Sequence, residues 1–345
     1  MKALTLTATG GIEHLQLQEM PKPDIRAPGD VLIRVHAAAL NRLDLFVAGG
    51  LPGITYTFPH IVGGDGAGVV EAVGDAVWQV RPGDRVMINP TLSCGHCPAC
   101  QAGDELRCPS FGVLGEHRAG TLAEYIVLPA TNVALVPTGM SWAQAAAFSL
   151  ATLTAWRMLQ SRAWLRAGET VLIWGIGGGV AQAALQIAKL AGARVIVTSG
   201  SDAKLEAARA AGADAAVNHA TGDVVAAVRQ FTGGLGADVI ADSVGERTWQ
   251  ASLRALRRGG RLVICGATTG PAISLDLRRL FWYQWSILGS TLGSHAEYAE
   301  IVRLAHAGKL WPVVDRVVPF AESVSAFQRL ERGAQTGKLV IEVTS

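Results

Sequence analysis

Residues 170–191 read TVLIWGIGGGVAQAALQIAKLA. The first five residues form an apolar, β-branched run that is typical of a buried strand, and the glycines that follow predict a tight turn. The remaining residues predict a helix that ends near Ala191. The stretch 171–188 is apolar enough to resemble a membrane span. Its glycines, with Gln182 and Gln186, divide it into a strand and a helix, and we therefore exclude a membrane segment.

Strand-like and helical segments continue to alternate after this stretch. The further predicted strands cover 194–198, 215–218, 237–242, 261–265 and 286–288, and the predicted helices cover 202–211, 223–232 and 248–256. This alternation is typical of an α/β fold in which helices cover both faces of a doubly wound parallel sheet. Residues before 135 predict short strands instead. We expect a mostly β domain at 1–152 and 295–345, and a βαβ domain at 153–294.

The composition argues against several classes of protein. Half of the 345 residues are hydrophobic and 17% are charged, which allows a large buried core. Lys and Arg number 30 against 28 Asp and Glu, for a net charge of +2 without a run of like charges, so nucleic acid and anionic membranes are poor candidate partners. The N-terminus alternates like a strand and lacks a signal-peptide core. We expect a cytoplasmic protein with a small-molecule substrate.

Four cysteines lie within a short loop, with the spacing C-x2-C-x2-C-x7-C. Thiolates are preferred zinc ligands, and four of them fill a tetrahedral shell without an open position. The spacing therefore predicts one structural zinc ion per chain, bound by Cys94, Cys97, Cys100 and Cys108. Two disulfides or an iron–sulfur cluster remain alternatives, although disulfides need an oxidising compartment. A closed zinc site of this kind does no chemistry, so the function must lie elsewhere.

The glycine turn after the strand at 170–174 is a candidate cofactor site. Gly175, Gly178 and Ala181 fit a G-x-x-G-x-x-A pattern, whereas Val180 breaks the stricter G-x-G-x-x-G pattern. Between a strand and a helix, such a turn lets the backbone approach a pyrophosphate at the positive end of the helix. The position favours a dinucleotide site over a glycine-rich turn that binds nothing.

The end of the next strand indicates which dinucleotide is bound. No carboxylate occupies the strand end, where it would bind a ribose 2′-hydroxyl and repel a 2′-phosphate. Ser199, Ser201 and Lys204 therefore favour NADP(H). Asp202 is the counter-argument, but we expect it to cap the following helix. His219 is either a further donor or a surface loop histidine.

Short motifs elsewhere in the chain match one family. They are GDRV at 83–86, GTLAEY at 120–125, LTAW at 153–156, DSVG at 242–245 and LGST at 288–291. Through them the chain resembles the zinc-type (medium-chain) alcohol dehydrogenases and quinone oxidoreductases over essentially its whole length. The resemblance implies a GroES-like catalytic domain with a zinc-binding lobe at about 90–110, beside a Rossmann domain.

The resemblance also implies which residues bind the cofactor and how the chain assembles. Besides Ser199, Ser201, Lys204 and His219, the implied cofactor-binding residues are Thr154, Gly175, Gly178, Gly179, Val180, Ser243, Val244, Ala267, Thr268, Gly289, Ser290, Thr291 and Lys338. The strand at 286–288 is short and apolar and would be an open sheet edge in a monomer. We therefore expect a homodimer or homotetramer.

The chain departs from the family at the catalytic metal. Zinc alcohol dehydrogenases hold this ion with a cysteine, a histidine and a later cysteine or carboxylate, and the corresponding positions in this chain are Asn41, Gly64 and Leu150. These residues offer neither thiolate nor imidazole, so the sequence predicts that the catalytic zinc is lost. His60 and Asp65 are the remaining candidates for a second metal.

Loss of the metal changes the expected chemistry. Oxidation of an unactivated alcohol becomes hard without a Lewis acid, whereas a quinone or a C=C bond conjugated to a carbonyl accepts hydride without one. We expect an NADPH-dependent reductase of quinones, enones or enoyl thioesters. Asn41 is a candidate donor to the substrate carbonyl or a structural turn residue, and Asp44 orders the same loop. The resemblance places Thr154 beside the nicotinamide.

Two other functions stay open at this point. One is a zinc-type alcohol dehydrogenase with atypical ligands, and the other is a non-catalytic sensor or scaffold that binds NADP. The aromatic residues Trp282, Tyr283 and Trp285 either line a substrate pocket or belong to a core or an interface.

Overall fold

The computed structural model describes residues 1–344, which form two compact units. The first unit contains Met1–Leu153 and the described residues from Leu292 onward, and the second contains Thr154–Thr291. The tail of the chain therefore joins the first unit.

Most strands of the first unit are short. In the second unit, most neighbouring strands along the chain are separated by a helix. In chain order the strands are β1 (Lys2–Leu6), β2 (Leu15–Glu19), β3 (Asp30–Ala39), β4 (His60–Ile61), β5 (Asp65–Val73), β6 (Arg85–Ile88), β7 (Thr91–Leu92), β8 (Gly112–Val113), β9 (Tyr125–Pro129), β10 (Val133–Leu135), β11 (Thr170–Ile173), β12 (Arg194–Ser199), β13 (Ala215–Asn218), β14 (Ala237–Asp242), β15 (Leu256–Ile264), β16 (Ser286–Gly289), β17 (Val314–Pro319) and β18 (Lys338–Glu342).

Helices occur in both units. In chain order they are α1 (Arg42–Gly49), α2 (Pro98–Gln101), α3 (Trp142–Trp156), α4 (Gly179–Leu190), α5 (Asp202–Ala210), α6 (Val224–Phe231), α7 (Glu246–Ala255), α8 (Leu277–Tyr283), α9 (His295–His306) and α10 (Ser323–Glu331). Among residues 1–344, none of these helices is long and apolar enough to cross a membrane. As expected, the apolar stretch at 171–188 divides into β11 and α4.

The first unit is built around β3. Its main sheet has the order β10-β6-β5-β3-β18-β17, with β9 also paired to β3. Along β3, Val31, Ile33 and Val35 point into one hydrophobic core, as the two-residue period of a strand requires. Ala39 pairs with both Asp65 of β5 and Val340 of β18. This register brings the end of β3 next to the beginnings of β5 and β18.

The second unit is a doubly wound parallel sheet with the order β13-β12-β11-β14-β15-β16. Neighbouring strands are parallel throughout, and β11 is buried along its whole length. The predicted α/β fold is confirmed. In a sheet of this order, ligands bind at the carboxyl ends of the strands, next to the central strand.

Among the helices of the first unit that were not predicted are α1 and α10. In α10 the buried residues Ala326, Phe327 and Leu330 recur at helical spacing, so the signal was present in the sequence but short. In α1 the helix begins directly after Asn41, which is its N-cap. This eight-residue helix was missed because Asn41 was interpreted as a residue of a turn.

Candidate active site

The glycine turn of the second unit lies between β11 and α4, at the carboxyl end of the central strand. Gly175 has a φ of 71°, a conformation that favours glycine, and its N–H donates to Thr198 Oγ1 at 3.1 Å. Gln182 Nε2 donates to the Ile176 carbonyl at 2.7 Å and holds the turn from below. A Cβ atom added at Gly175 or Gly178 would meet no atom within 4 Å. The turn therefore faces open space.

The first turn of α4 completes this part of the site. Gly178 is the N-cap, and Gly179 and Val180 are the first helical residues. No side chain caps this end, so the first N–H groups are left for an external acceptor. A pyrophosphate is the acceptor that such a turn and helix end accommodate.

The end of β12 carries the predicted 2′-phosphate residues. Ser199 is buried, and its Oγ accepts the Ser201 N–H at 3.1 Å. The expectation that Asp202 caps α5 is wrong, because Ser201 is the N-cap and Asp202 is the first helical residue. Asp202 Oδ1 instead accepts from Asn218 Nδ2 at 2.7 Å. This bond ties the carboxylate to the end of β13. Lys204 lies in the same first turn of α5.

His219 lies beside this loop. A Cβ atom at Gly200 would be 3.4 Å from His219 Nε2. Partial burial and the nearby charge of Arg247 lower the pKa of His219. Arg247, in the first turn of α7, was missed by the sequence analysis, since no local motif marks a residue that reaches this loop from another helix.

The ends of β14, β15 and β16 and the loops after them bring seven further predicted cofactor residues to the same edge of the sheet. Asp242 Oδ1 accepts the Val244 N–H at 2.7 Å and so shapes the loop at Ser243 and Val244. Thr268 Oγ1 donates to the Ser243 carbonyl at 2.9 Å, next to Ala267. Six strands thus present their carboxyl ends together, with Gly289 as the last residue of β16 and Ser290 and Thr291 directly after it.

The residues of this edge fit a dinucleotide. Among the residues that the structure describes, Ser290 Oγ is buried without a hydrogen-bond partner, and a Cβ atom at Gly289 would meet nothing within 4 Å. An orphaned hydroxyl beside an open glycine is the feature expected where a ligand supplies the missing partner. Thr154, also among the implied cofactor residues, is buried in the last turn of α3.

A second cluster lies in the first unit, where β3, β5 and β18 meet. Asn41 Nδ2 donates to Asp65 Oδ2 at 3.0 Å, and Asn41 Oδ1 accepts from Lys338 Nζ at 2.5 Å. Lys338 Nζ also donates to Asp65 Oδ2 at 2.8 Å. All three side chains are buried. Lys338, which the resemblance assigns to the cofactor, thus contacts Asn41 and Asp65.

Asp44 lies beside this cluster. Its Oδ2 accepts the Asn41 backbone N–H at 2.6 Å, so Asp44 does order the turn that carries Asn41. The side chain is 1% exposed, and burial raises its pKa to about 7, although the backbone N–H of Asn41 and the charge of Lys338 act in the opposite direction. Asp44 therefore titrates near neutral pH.

The three positions that correspond to the family's catalytic zinc ligands meet at Asp65. Asn41 contacts its Oδ2, and the Leu150 backbone N–H donates to its Oδ1 at 2.7 Å. A Cβ atom at Gly64 would lie 2.9 Å from Leu150 Cδ1, so the leucine fills the space that a side chain at 64 would need. The ligand set of this chain does not fit a catalytic zinc ion.

His60 does not complete a metal site with Asp65. Its Nε2 lies 2.9 Å from the Gly115 carbonyl, and burial lowers the pKa of the imidazole. Asp65 is engaged by other groups through both carboxylate oxygens. The surroundings are apolar instead, because Leu43, Phe111, Val113 and Leu292 pack around Leu150.

The four cysteines converge, as the spacing predicts. The cluster comprises Cys94, Cys97, Cys100 and Cys108, whose sulfur atoms lie within 4.8 Å of one another. Among residues 1–344 no other group of His, Cys, Asp or Glu side chains is placed to hold a metal ion.

The sulfur distances fit one tetrahedral metal ion rather than disulfide bonds. Cys94 Sγ is 3.5 Å from Cys108 Sγ and 3.9 Å from Cys100 Sγ. A zinc tetrahedron with bonds of about 2.3 Å has edges of about 3.8 Å. The same distances are far too long for disulfides, whose bonds are about 2.05 Å. Backbone N–H groups of His96 and Cys97 lower the pKa of Cys94 to about 6, which favours the ligating thiolate.

The three aromatic residues near 283 lie away from the glycine turn within the second unit. They precede β16 and so sit at the amino end of that strand, whereas the turn follows the carboxyl end of β11. Trp285 is buried in the core, and Trp282 is 64% exposed on α8. The positions support the core or interface interpretation rather than a substrate pocket.

Comparison with known proteins adds to this geometry. The family model described as alcohol dehydrogenase GroES-like domain matches residues 27–138, and the one described as zinc-binding dehydrogenase matches 179–307. An alcohol dehydrogenase of Geobacillus stearothermophilus is 33% identical over 331 residues, which cover 95% of this chain and 96% of that protein. A quinone oxidoreductase of Mus musculus is 29% identical over 350 residues, covering 99% and 97%.

A solved structure agrees over the complete chain. The crystal structure of an NAD-dependent alcohol dehydrogenase is 44% identical and superposes with a TM-score of 0.96, covering 100% of both chains.

Fold and site together define a dinucleotide-binding oxidoreductase with a four-cysteine zinc-type lobe. The chain belongs to the zinc-type alcohol dehydrogenase family, within the medium-chain dehydrogenase/reductase superfamily.

Proposed function

We propose that the protein is an NADPH-dependent reductase that transfers hydride to an activated acceptor, a quinone, an enone or an enoyl thioester, without a catalytic metal. Cys94, Cys97, Cys100 and Cys108 bind one structural zinc ion, and the thiols stay reduced in the cytoplasm. NADPH, when bound, supplies the hydride. The acceptor must then be electrophilic by itself, because Asn41, Gly64 and Leu150 offer no ligand set for a Lewis acid at the acceptor site.

One observation carries this proposal. The positions of the family's catalytic zinc ligands are Asn41, Gly64 and Leu150, and they converge on Asp65, where the Lys338 ammonium is hydrogen-bonded. A neutral amide and a buried ammonium replace thiolate and imidazole. Such a site can stabilise a developing enolate by hydrogen bonding but cannot lower the pKa of an alcohol as zinc does.

Asn41 supplies the hydrogen bond to the acceptor oxygen. One Nδ2 hydrogen is held by Asp65 at 3.0 Å, whereas the contact with the Ala39 carbonyl is long, at 3.4 Å. The second hydrogen is therefore only weakly bound and is left for a substrate oxygen. Asn41 is also 8% exposed, against none for Asp65. The apolar side chains around Leu150 suit a hydrophobic acceptor.

The choice of NADPH rests on the end of β12. Asp202, the carboxylate nearest this strand end, is bound by Asn218 at 2.7 Å. Ser199, Ser201 and Lys204 border the loop, His219 lies beside Gly200, and the charge of Arg247 acts on His219. Donors and positive charge at this place accommodate a 2′-phosphate.

Two of the relatives support different functions for this chain. The mouse quinone oxidoreductase supports an activated acceptor, whereas the bacterial alcohol dehydrogenase supports alcohol oxidation with atypical ligands. A non-catalytic sensor that binds NADP is the third candidate. Metal content and acceptor range separate the three.

The test measures NADPH oxidation with a quinone, an α,β-unsaturated ketone and an enoyl-CoA thioester, and NADP reduction with ethanol and benzyl alcohol. We expect turnover with at least one activated acceptor and little with the alcohols. Asn41→Ala should lower kcat/KM by roughly 10- to 1000-fold without weakening NADPH binding, because the donor to the enolate is lost.

Asn132→Ala is the matched control. It also deletes a buried amide of the first unit, which donates to the Asn89 and Thr91 carbonyls. It should lower stability while leaving kcat intact. Rapid, chelator-sensitive alcohol oxidation would establish the metal-assisted alternative instead. Tight NADPH binding without turnover of any acceptor would favour the sensor.

A further inference from the structure

Opposite charges hold the two ends of the Asn41 side chain. The Lys338 ammonium donates to Oδ1, and the Asp65 carboxylate accepts from Nδ2. Lys338 and Asp65 also pair directly at 2.8 Å, with side chains that are 4% and 0% exposed. The three groups form a closed triangle, in which each one contacts the other two.

This triangle permits one orientation of the amide. In the flipped orientation, the NH2 group would face the ammonium and the carbonyl oxygen would face the carboxylate, so that donor meets donor and acceptor meets acceptor. Burial increases the free-energy cost of both of these unfavourable contacts, because little water screens the charges. Asn41 is therefore fixed before any substrate arrives.

The fixed orientation has a chemical consequence. Of the two Nδ2 hydrogens, one is held by Asp65, and the other is directed away from the ion pair and has only the 3.4 Å contact with Ala39. The ammonium at Oδ1 also draws electron density from the amide and makes that second hydrogen a stronger donor. Because this donor does not have to reorient, it stabilises the negative charge that develops at the acceptor oxygen in the transition state and so lowers the activation barrier.

We infer that Lys338 is a positioning residue for the reaction, which acts through Asn41 by fixing and polarising its amide. This inference rests on the proposed function and adds to it the origin of the positive charge at the acceptor site. A buried ion pair is a poor device for stability alone, since apolar residues of similar volume often serve as well. Lys338 is buried, and its ammonium is held by Asn41 and Asp65.

A double-mutant cycle on the full-length protein tests this role. Lys338→Met, Asn41→Ala and the double variant are assayed with the best acceptor at saturating NADPH, and NADPH binding is titrated by fluorescence. We expect Lys338→Met to lower kcat by roughly 30-fold or more, with the Kd for NADPH changed less than about threefold. In the Asn41→Ala background, the same change should cost less than about threefold, because its partner is gone.

Two further variants separate positioning from folding. Lys338→Arg should recover kcat to within about tenfold of the wild type, since a guanidinium can donate to both oxygens. Lys309→Met, at an exposed lysine of the first unit, should leave all parameters unchanged. If Lys338→Met does not fold, Lys338→Gln replaces it in the cycle, and zinc content with near-UV circular dichroism checks its fold.

The outcomes distinguish the two proposals. If Asn41→Ala has no effect on kcat, the proposed donor is wrong. A second outcome is that Asn41→Ala lowers kcat and that adding Lys338→Met to it lowers kcat by the same factor as Lys338→Met does in the wild type. Lys338 would then act independently of Asn41, and the inference would be overturned. A rise in the Kd for NADPH with unchanged kcat would also overturn it and assign Lys338 to cofactor binding.

Discussion

Lys338 Nζ lies 2.8 Å from Asp65 Oδ2 in an ion pair that is buried at both ends. The two residues are separated by 273 positions in the sequence, so the pair forms only when β18 from the tail joins the sheet around β3. The candidate acceptor site is thus complete only after the last strand has paired.

Purified protein should contain about one zinc ion per chain. Cys97→Ser removes one ligand of the four-cysteine cluster and should lower zinc content and thermal stability together, because part of the folding free energy comes from the metal. Elemental analysis and calorimetry measure the two quantities. Cys265→Ser, at the one cysteine outside the cluster, is the control. Two zinc ions per chain would contradict the prediction.

NADPH should bind more tightly than NADH. Ser199→Asp places a carboxylate at the end of β12 and should reduce the NADPH preference by about tenfold or more, through repulsion of the 2′-phosphate. Arg247→Ala should weaken NADPH binding and leave NADH binding unchanged. Direct titration of both cofactors measures the ratio, with Ser199→Ala as the control. Tighter binding of NADH by the wild type would refute the assignment.

Asp44 should make stability depend on pH in the neutral range. Its pKa is raised to about 7 in the folded protein, against about 3.9 in an unfolded chain. The folded state therefore binds more protons between these values, and the contribution of Asp44 to stability is complete below about pH 4 and is lost as the pH rises through about 7.

Asp44→Asn isolates this contribution. The free energy of unfolding is measured by chemical denaturation across the range for both proteins, and the wild-type value minus the Asn value is compared. This difference in unfolding free energy should fall as the pH rises, and it should become constant above the pKa that Asp44 has in the folded protein. A difference that stays constant with pH would show that Asp44 is ionised throughout.

The protein should form dimers or larger assemblies. Strand β16 is the last strand of its sheet, and the neighbouring helix α8 exposes Phe281 and Trp282 by 68% and 64%. Pairing of this edge with a second copy would cover both features. Trp282→Asp should shift the mass in light scattering toward the monomer, whereas Trp78→Asp, at an 84% exposed tryptophan of the first unit, should not. A monomeric wild type at micromolar concentration would rule out the assembly.

The sequence predicted the architecture well because its signals are local. The strand, glycine turn and helix at 170–191 and the following βαβ units carry their periods in consecutive residues, and this alternation predicts the parallel sheet that the structure shows. The cysteine spacing likewise predicted which sulfur atoms converge. Both predictions depend only on residues that are close together in the sequence.

The partners of Asn41 were not predictable in the same way. Asn41 is marked by its position in the family pattern, but Asp65 and Lys338 reach it through strand register. A register is set by the packing of whole strands, and no spacing in the sequence encodes a contact between residues hundreds of positions apart. Arg247 approaches His219 from another helix for the same reason.

Leu150 serves two purposes at once, since its backbone N–H binds Asp65 and its side chain closes the space beside Gly64. A single mutation from Gly64 to histidine would meet this leucine before it met any metal, and a single change at 150 would open a void without completing a ligand set. Either change made alone would therefore disturb the packing beside Asp65 without completing a set of metal ligands. The two positions are therefore epistatic: a side chain at 64 becomes acceptable only together with a smaller side chain at 150.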